Sequence, residues 1–207
     1  PPASSAYPAP YGAGGGAALS LPPVPPVLAE RCAQLLARLT QQPDGLAVMA
    51  KEDNLARLVK LLTSSEKYGE HRERTEDALI RCIAGAMTTA AGIAAVVDAG
   101  ALPRLGAILK DGLADVKARA TALGNLTKCV ITVTSDGAGT RSHHAALLRA
   151  GVVDNLIELL KRAGEGPVRK NAAVALARLA RNPECLARIR ELDGMRILMA
   201  LGRELTT

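Results

Sequence analysis

An internal repeat constrains this chain more than any other feature of its 207 residues. Four segments align without gaps, the last one set one residue out, and each carries apolar residues at three-residue spacing. The segments are 49–62, 96–109, 147–160 and 190–202. Their first matching apolar residues lie 47, 51 and 42 residues apart, at Leu55, Leu102, Val153 and Met195. Such self-similarity is typical of stacked helical units that share one continuous core.

A second pattern lies between these segments and repeats a small-x-x-apolar-x-x-apolar rhythm. It occupies 32–40, 77–85, 120–128 and 172–180. Leu36, Ile80, Leu123 and Leu176 correspond in it, and so do Leu39, Ile83, Leu126 and Leu179. Small residues in the same segments allow neighbouring helices to approach closely. We therefore expect an all-α solenoid.

The two-part pattern resembles the armadillo repeat family over about four units between Val27 and Leu205, most closely at 171–198. The resemblance implies an armadillo-type right-handed α-solenoid in which a long third helix of each repeat lines a concave face. Third helices would span 27–40, 73–88, 114–130 and 167–181. The turn between first and second helices would fall at Gly100 and Gly151, where glycine tolerates a left-handed backbone. Asp53 and Asp193 hold the same position.

Residues 1–26 differ in composition from the rest, being rich in Pro, Gly, Ala and Ser. Such a segment cannot form a core of its own, so we expect a low-complexity extended tail before a solenoid domain at 27–207. The tail is either flexible or a Pro-rich strap that lies along a partner or along its own solenoid. Two insertions, 63–72 and 131–143, are predicted to be surface loops that either carry contacts or are merely tolerated.

Composition and spacing argue against several kinds of site. Cys32, Cys82, Cys129 and Cys185 form no C-x-x-C pair, which favours core or near-core thiols in a reducing compartment over disulfides or zinc ligation. The three histidines have no partners at ligand spacing, and GAGGG lacks the context of a phosphate loop. The longest uncharged stretch, 82–97, is too short for a membrane span. We expect neither catalysis nor a cofactor.

The resemblance also implies a binding surface on the ladder of third helices. In the nuclear-import adaptors of the family, a Trp and an Asn recur there; Asn125 matches the Asn, but Thr121 stands at the Trp position. We therefore do not expect recognition of basic peptides and instead predict a concave face that receives an acidic or phosphorylated segment or an acidic helix, gripped by Arg side chains. The predicted partner-binding residues are Arg38, Arg74, Lys117, Thr121, Asn125, Lys170, Val174 and Arg178.

A formal net charge of +6 and a pI of about 9.4 also favour acidic partners. The sequence thus predicts a non-catalytic protein-binding scaffold or adaptor, a subunit of a larger cytoplasmic assembly, with a cytoskeletal or ciliary (axonemal) setting suggested by the resemblance. The alternative is a nucleic-acid-binding solenoid, against which stands an aromatic content of 1%. Because neither end has a polar cap, we expect an end to be covered by a partner, by the tail or by further chain.

Overall fold

The computed structural model describes residues 24–135 and 140–204. This part of the chain forms twelve α-helices and no strand. They are α1 (Pro26–Leu39), α2 (Pro43–Met49), α3 (Glu52–Thr63), α4 (Arg72–Ala86), α5 (Ala90–Asp98), α6 (Ala101–Gly112), α7 (Ala120–Val133), α8 (Thr140–Arg149), α9 (Val152–Arg162), α10 (Pro167–Leu179), α11 (Pro183–Glu191) and α12 (Gly194–Glu204). Most of the predicted tail, 1–23, lies outside these residues.

The helices follow one another as three complete three-helix repeats, α2–α4, α5–α7 and α8–α10. Within residues 24–204, a third helix, α1, stands before them, and a first and a second helix, α11 and α12, follow them. The third helices lie side by side, α1 against α4, α4 against α7 and α7 against α10. The second helices pack behind them, with α3 on α4 and α9 on α10. This arrangement is the stacked solenoid that the two sequence patterns predict.

The repeated apolar positions form the core. Leu58, Leu105 and Leu156 at equivalent positions of the second helices are at most 2% exposed. Each such side chain contributes about 2 kcal/mol through removal of apolar surface from water. Because every repeat buries the same positions, the core runs unbroken along the stack.

The turn between first and second helices needs a left-handed residue in three of the four pairs. Gly100 (φ 82°) and Gly151 (φ 70°) occupy it as predicted, and Asp193 (φ 58°) does so before α12. Asp53 does not, because α3 begins at Glu52 and places Asp53 in its first turn. Lys51 makes that turn with an extended backbone (φ −65°, ψ 137°), so no left-handed residue is required.

The third helix of the middle repeat begins later than predicted. Residues 113–115 form a short 3-10 turn and 116–119 a further turn, so α7 starts at Ala120 instead of at residue 114. The Asp115 carboxylate accepts a hydrogen bond of 2.8 Å from the backbone N–H of Ala118. This local bond offers the backbone an alternative to helix and explains the shorter α7.

The first insertion is a packed element and not the predicted loop. Ser65–His71 forms a 3-10 helix, and Tyr68 within it is only 4% exposed. Arg104 of α6 binds Ser65, Glu66 at 2.6 Å and the buried carboxylate of Glu76. The insertion is therefore fixed to two successive repeats by charge-assisted hydrogen bonds.

Three of the four cysteines are buried as expected, and all four are free. Burial raises the pKa of the Cys82 and Cys185 thiols to about 11 and that of Cys129 to about 12. Cys32 departs from the expectation and is exposed, because it lies on a side of α1 that no other described helix covers.

Candidate functional site

The exposed sides of α1, α4, α7 and α10, together with the turn that leads into α7, form one continuous surface, which we call the third-helix face. The four helices lie in contact with their neighbours in order, while the second helices cover their opposite sides. Side chains at helical spacing on these four helices therefore fall into rows that cross the repeats. All eight predicted partner-binding residues lie on these elements, but their exposure differs.

The first predicted row is exposed at Arg74, Lys117 and Lys170. Lys117 lies in the turn before α7 and not on the helix. Its counterpart on α1, Glu30, is buried and bonded to Nδ1 of His71 at 2.6 Å. That hydrogen bond, aided by the nearby Arg74 guanidinium, lowers the pKa of the Glu30 carboxyl. Glu30 therefore fastens α1 to the first insertion through His71, with Arg74 of α4 at 3.9 Å, and the row presents only cations to solvent.

The second row presents Thr121 and Val174 to solvent, and Val174 is 46% exposed. The equivalent Ala78 is buried in α4. An exposed valine on a polar surface is a small apolar contact point, and Thr121 beside it adds a hydroxyl.

The third row is largely structural. Arg38 is exposed, but Asn125 is half-buried and Cys82 is fully buried. Arg178 donates to the Ile131 carbonyl at 2.8 Å and to the Ser135 hydroxyl at 2.6 Å. Its guanidinium therefore holds α10 to the C-terminal end of α7, so Arg178 and Asn125 are less available to a partner than the sequence suggests.

Two further basic residues lie on the same face but were not among the residues predicted from the rows. Arg81 lies seven residues beyond Arg74 on α4, and Lys128 lies seven beyond Thr121 on α7; both are exposed. Seven residues are close to two helical turns, so each side chain projects on the same side as its predecessor. Helical periodicity within each helix could have found both.

Two carboxylates of α4 on this face are already paired. Arg119 lies 3.3 Å from Glu73 and 2.7 Å from Asp77, and its own side chain is buried. Burial raises the pKa of the Asp77 carboxyl despite the opposing effect of Arg119. In contrast, Arg38, Arg81, Lys117, Lys128 and Lys170 form no ion pair with any residue that the structure describes. The face therefore carries a surplus of unneutralised positive charge.

Among the described residues, no group of three or more His, Cys, Asp or Glu side chains could hold a metal ion. In the same ranges no single helix is long and apolar enough to cross a membrane. The bent pair Ala90–Asp98 and Ala101–Asp115 reaches that length and composition jointly, with 78° between its halves.

No protein-family model matches the chain, and no curated protein sequence does. Among solved structures, an engineered protein superposes with a TM-score of 0.64 at 23% identity, covering 84% of this chain and 66% of that one. A designed armadillo repeat protein superposes with a TM-score of 0.59 at 22% identity, and the match covers 78% of this chain and 63% of that protein. A second designed armadillo repeat protein, solved in complex with the peptide (KR)4, has a TM-score of 0.57 at 22% identity. The match covers 80% of this chain and 62% of that protein. This chain thus spans 62 to 66% of their lengths.

Proposed function

We propose, with the armadillo-type α-solenoid fold as the premise, that this chain is a non-catalytic protein-binding scaffold whose third-helix face receives an acidic segment of a partner protein. One observation carries the proposal: the unpaired basic surplus on that face. Five exposed Lys and Arg side chains there have no carboxylate partner among the described residues, while the nearby Glu30, Glu73 and Asp77 are already bonded.

Charge complementarity is what such a surface can contribute. Exposed cations on one face attract an acidic partner at long range and fix its register once it is bound. Arg38, Arg74 and Arg81 can each hold a carboxylate in bidentate fashion, whereas the lysines act as point charges. Thr121 and Val174 lie among these cations and offer a hydroxyl and an apolar contact for discrimination between acidic segments.

A designed armadillo protein of similar fold was solved with the basic peptide (KR)4. That example supports peptide binding as a use of the fold. The third-helix face of this chain calls for a ligand of the opposite charge, because its exposed surplus charge is positive. We therefore propose the same mode of binding with a ligand of inverted charge.

The proposal is tested with fluorescein-labelled oligoglutamate and fluorescence anisotropy on the full chain. The face variant combines Arg74→Glu, Lys117→Glu and Lys170→Glu. Its matched control combines Arg57→Glu, Lys60→Glu and Lys110→Glu, exposed residues of the second helices α3 and α6 that change the net charge equally. We expect the face variant to lose about tenfold or more in affinity, which corresponds to about 1.4 kcal/mol. The control should stay within about twofold.

Equal losses in the two variants would contradict a defined site, since net charge alone would then explain the binding. Single-stranded RNA of matched charge serves as the competitor. Tighter and strongly salt-dependent binding of the RNA would favour the alternative, a nucleic-acid-binding solenoid.

The finer part of the proposal is the assembly. We propose a cytoplasmic setting with a cytoskeletal or ciliary scaffold role, which rests on the sequence resemblance alone. Co-sedimentation with polymerised tubulin, with the face variant and its control side by side, tests it. Absence of both pelleting and ciliary localisation of a tagged chain would remove this setting and leave the acidic-segment proposal standing.

A further inference from the structure

A cavity of about 460 Å³ lies between α1, α3, α4 and the first insertion. That volume falls in the lower part of the range found for sites of small organic ligands. The walls are mostly hydrocarbon: Ala29 and Leu36 come from α1, Leu61 from α3 and Leu79 from α4. The cavity therefore has room for one small molecule, and most of its surface favours an apolar body.

The first insertion gives the cavity its polar side. Lys67 and Tyr68 of this 3-10 helix both line it, and the Lys67 Nζ lies 5.2 Å from the centre of the Tyr68 ring. The ammonium group and the phenol ring therefore lie close together. The remaining walls come largely from apolar helix side chains, so the cavity has one polar side and one apolar side.

The Tyr68 hydroxyl is unusual for a polar group at such depth. The residue is only 4% exposed, yet its hydroxyl has no hydrogen-bond partner among the described residues. Tyrosine hydroxyls in buried positions generally find a partner, because an unmade hydrogen bond away from water costs free energy. The cavity that the ring lines is therefore the place from which a partner can reach this hydroxyl.

Lys67 adds a positive charge that has no fixed counter-ion. Its ammonium group forms no ion pair within residues 24–135 and 140–204, and the neighbouring Glu66 is bonded to arginines of α4 and α6. Thr75, the other hydroxyl on the wall, already donates to the His71 carbonyl at 2.8 Å. Lys67 and Tyr68 are therefore the groups best placed to hold the polar head of a ligand.

We propose that this cavity binds a free medium-chain monocarboxylate, with its carboxylate at Lys67 and Tyr68 and its hydrocarbon chain against α1 and α3. An anionic head suits the site because an ammonium group offers donors only and a phenol can donate to the same carboxylate. A cationic head would be repelled by Lys67. The limited volume favours one short chain. The proposal does not rest on the proposed function, since none of the residues predicted for the third-helix face lines the cavity.

Cys32 provides a reporter inside the same cavity. Its side chain is exposed and lines the cavity, whereas Cys82, Cys129 and Cys185 are buried. A molecule bound in the cavity covers this thiol and should slow its reaction with a small thiol reagent about fivefold or more at saturation. The dependence of the labelling rate on ligand concentration therefore gives a dissociation constant for this location.

The test uses the full chain with octanoate as the probe, and with octanol and octylamine as probes that change only the head group. Lys67→Gln removes the charge, and Tyr68→Phe removes the hydroxyl while keeping the ring. Lys60→Gln changes an exposed lysine of α3 that does not line the cavity, and it serves as the matched control. Calorimetric titration and the Cys32 labelling rate are measured side by side, and circular dichroism verifies that each variant folds.

We expect octanoate to bind and to slow Cys32 labelling, with octanol weaker and octylamine weakest. Lys67→Gln and Tyr68→Phe should each weaken octanoate about fivefold, whereas Lys60→Gln should stay within about twofold. Absence of octanoate binding at millimolar concentration overturns the proposal, as it would if residues 1–23 or a second copy filled the cavity. Equal binding of the three probes also overturns it, since the head group would then not be recognised. So does an unchanged octanoate affinity in both cavity variants.

Discussion

Gly106 shows how one residue sets the distance between successive repeats. A Cβ at this position would collide with the Ala150 carbonyl oxygen and lie 3.2 Å from the Ala150 Cβ, at the turn before α9. Asn155 of α9 also donates to the Gly106 carbonyl at 3.1 Å. The absence of a side chain therefore allows α6 and the next repeat to share a close backbone contact.

We predict opposite effects for two glycine-to-alanine changes within helices. Gly106→Ala should destabilise the protein by about 1–3 kcal/mol, because the new methyl group forces the repeats apart. Gly85→Ala, which has no atom within 4 Å of its new Cβ, should stabilise it by about 1 kcal/mol through helix propensity. Urea unfolding measures both. Equal effects of the two changes would contradict a close approach at Gly106.

The thiols provide a second test at the residue scale. Cys32 is exposed, whereas Cys82, Cys129 and Cys185 are buried and their thiol pKa values are raised by burial. Because the thiolate is the reactive form, a small thiol reagent at neutral pH should label only Cys32 in the folded protein. Labelling of all four should require denaturant. Mass spectrometry of the labelled peptides identifies the sites, and early reaction at Cys129 would contradict the packing.

At this scale the sequence could predict which helix a side chain lies on, but not what that side chain contacts. Arg38 and Arg178 hold the same row and look alike in the sequence. Arg178, however, follows a third helix whose final carbonyl groups, Ile131 among them, lack helical partners and accept its guanidinium. No third helix comes before that of Arg38 in the part of the chain from residue 24 onward, and Arg38 is exposed there. The difference depends on a neighbour 47 residues away in the chain.

Among the elements, the first insertion illustrates how local sequence misleads. Its Ser, Lys and Gly residues indicate a loop, and Gly69 does adopt a left-handed backbone (φ 53°). Its order comes from residues that lie outside it, Glu76 of α4 and Arg104 of α6. The late start of α7 has a similar origin. The apolar periodicity predicted helix from residue 114, but the hydrogen bond from the Ala118 N–H to the Asp115 carboxylate holds the chain in a turn before Ala120. Long, strongly periodic helices such as α9 were predictable, since their pattern depends on burial alone.

We predict that Arg104→Ala destabilises the protein by about 3 kcal/mol, since it removes a partner of the Glu76 carboxylate, which is 1% exposed. Amide exchange should rise selectively at residues 65–71. Lys110→Ala on the same helix is exposed and serves as the control, with an expected change within about 0.5 kcal/mol. Unchanged exchange at residues 65–71 in Arg104→Ala would show that the insertion is held by Tyr68 packing instead.

For the whole molecule, the described part of the stack behaves as a one-dimensional array in which each repeat packs mainly on its neighbours. We predict a gradient of hydrogen exchange at low protein concentration. Protection should be greatest in α6 and α7, which have a complete repeat on each side, and least in α1 and α12. A uniform protection along the chain would contradict independent repeats and indicate a single cooperative unit.

At this largest scale the sequence was most informative. Repeat number, helix order and the all-α class follow from the positions of Leu, Ile, Val and Ala, because the same residues must be buried in every unit. The placement of half-repeats at the two ends was not predictable in detail. Leu39 and Ile83 are both large apolar residues at equivalent positions in the sequence, and only the structure shows that Ile83 is buried against other helices while Leu39 is exposed.

Tyr68 gives the molecule an optical property that its composition would not suggest. The chain has no Trp or Phe, and its other tyrosines lie before residue 24, so Tyr68 is the sole Tyr, Trp or Phe side chain in the described part. The ring is 4% exposed, lies 5.2 Å from the Lys67 ammonium and lines the cavity beside α1. Near-ultraviolet circular dichroism of a variant with Tyr7→Leu and Tyr11→Leu should therefore report on this one location, and a spectroscopist can follow the N-terminal end of the stack without an added probe.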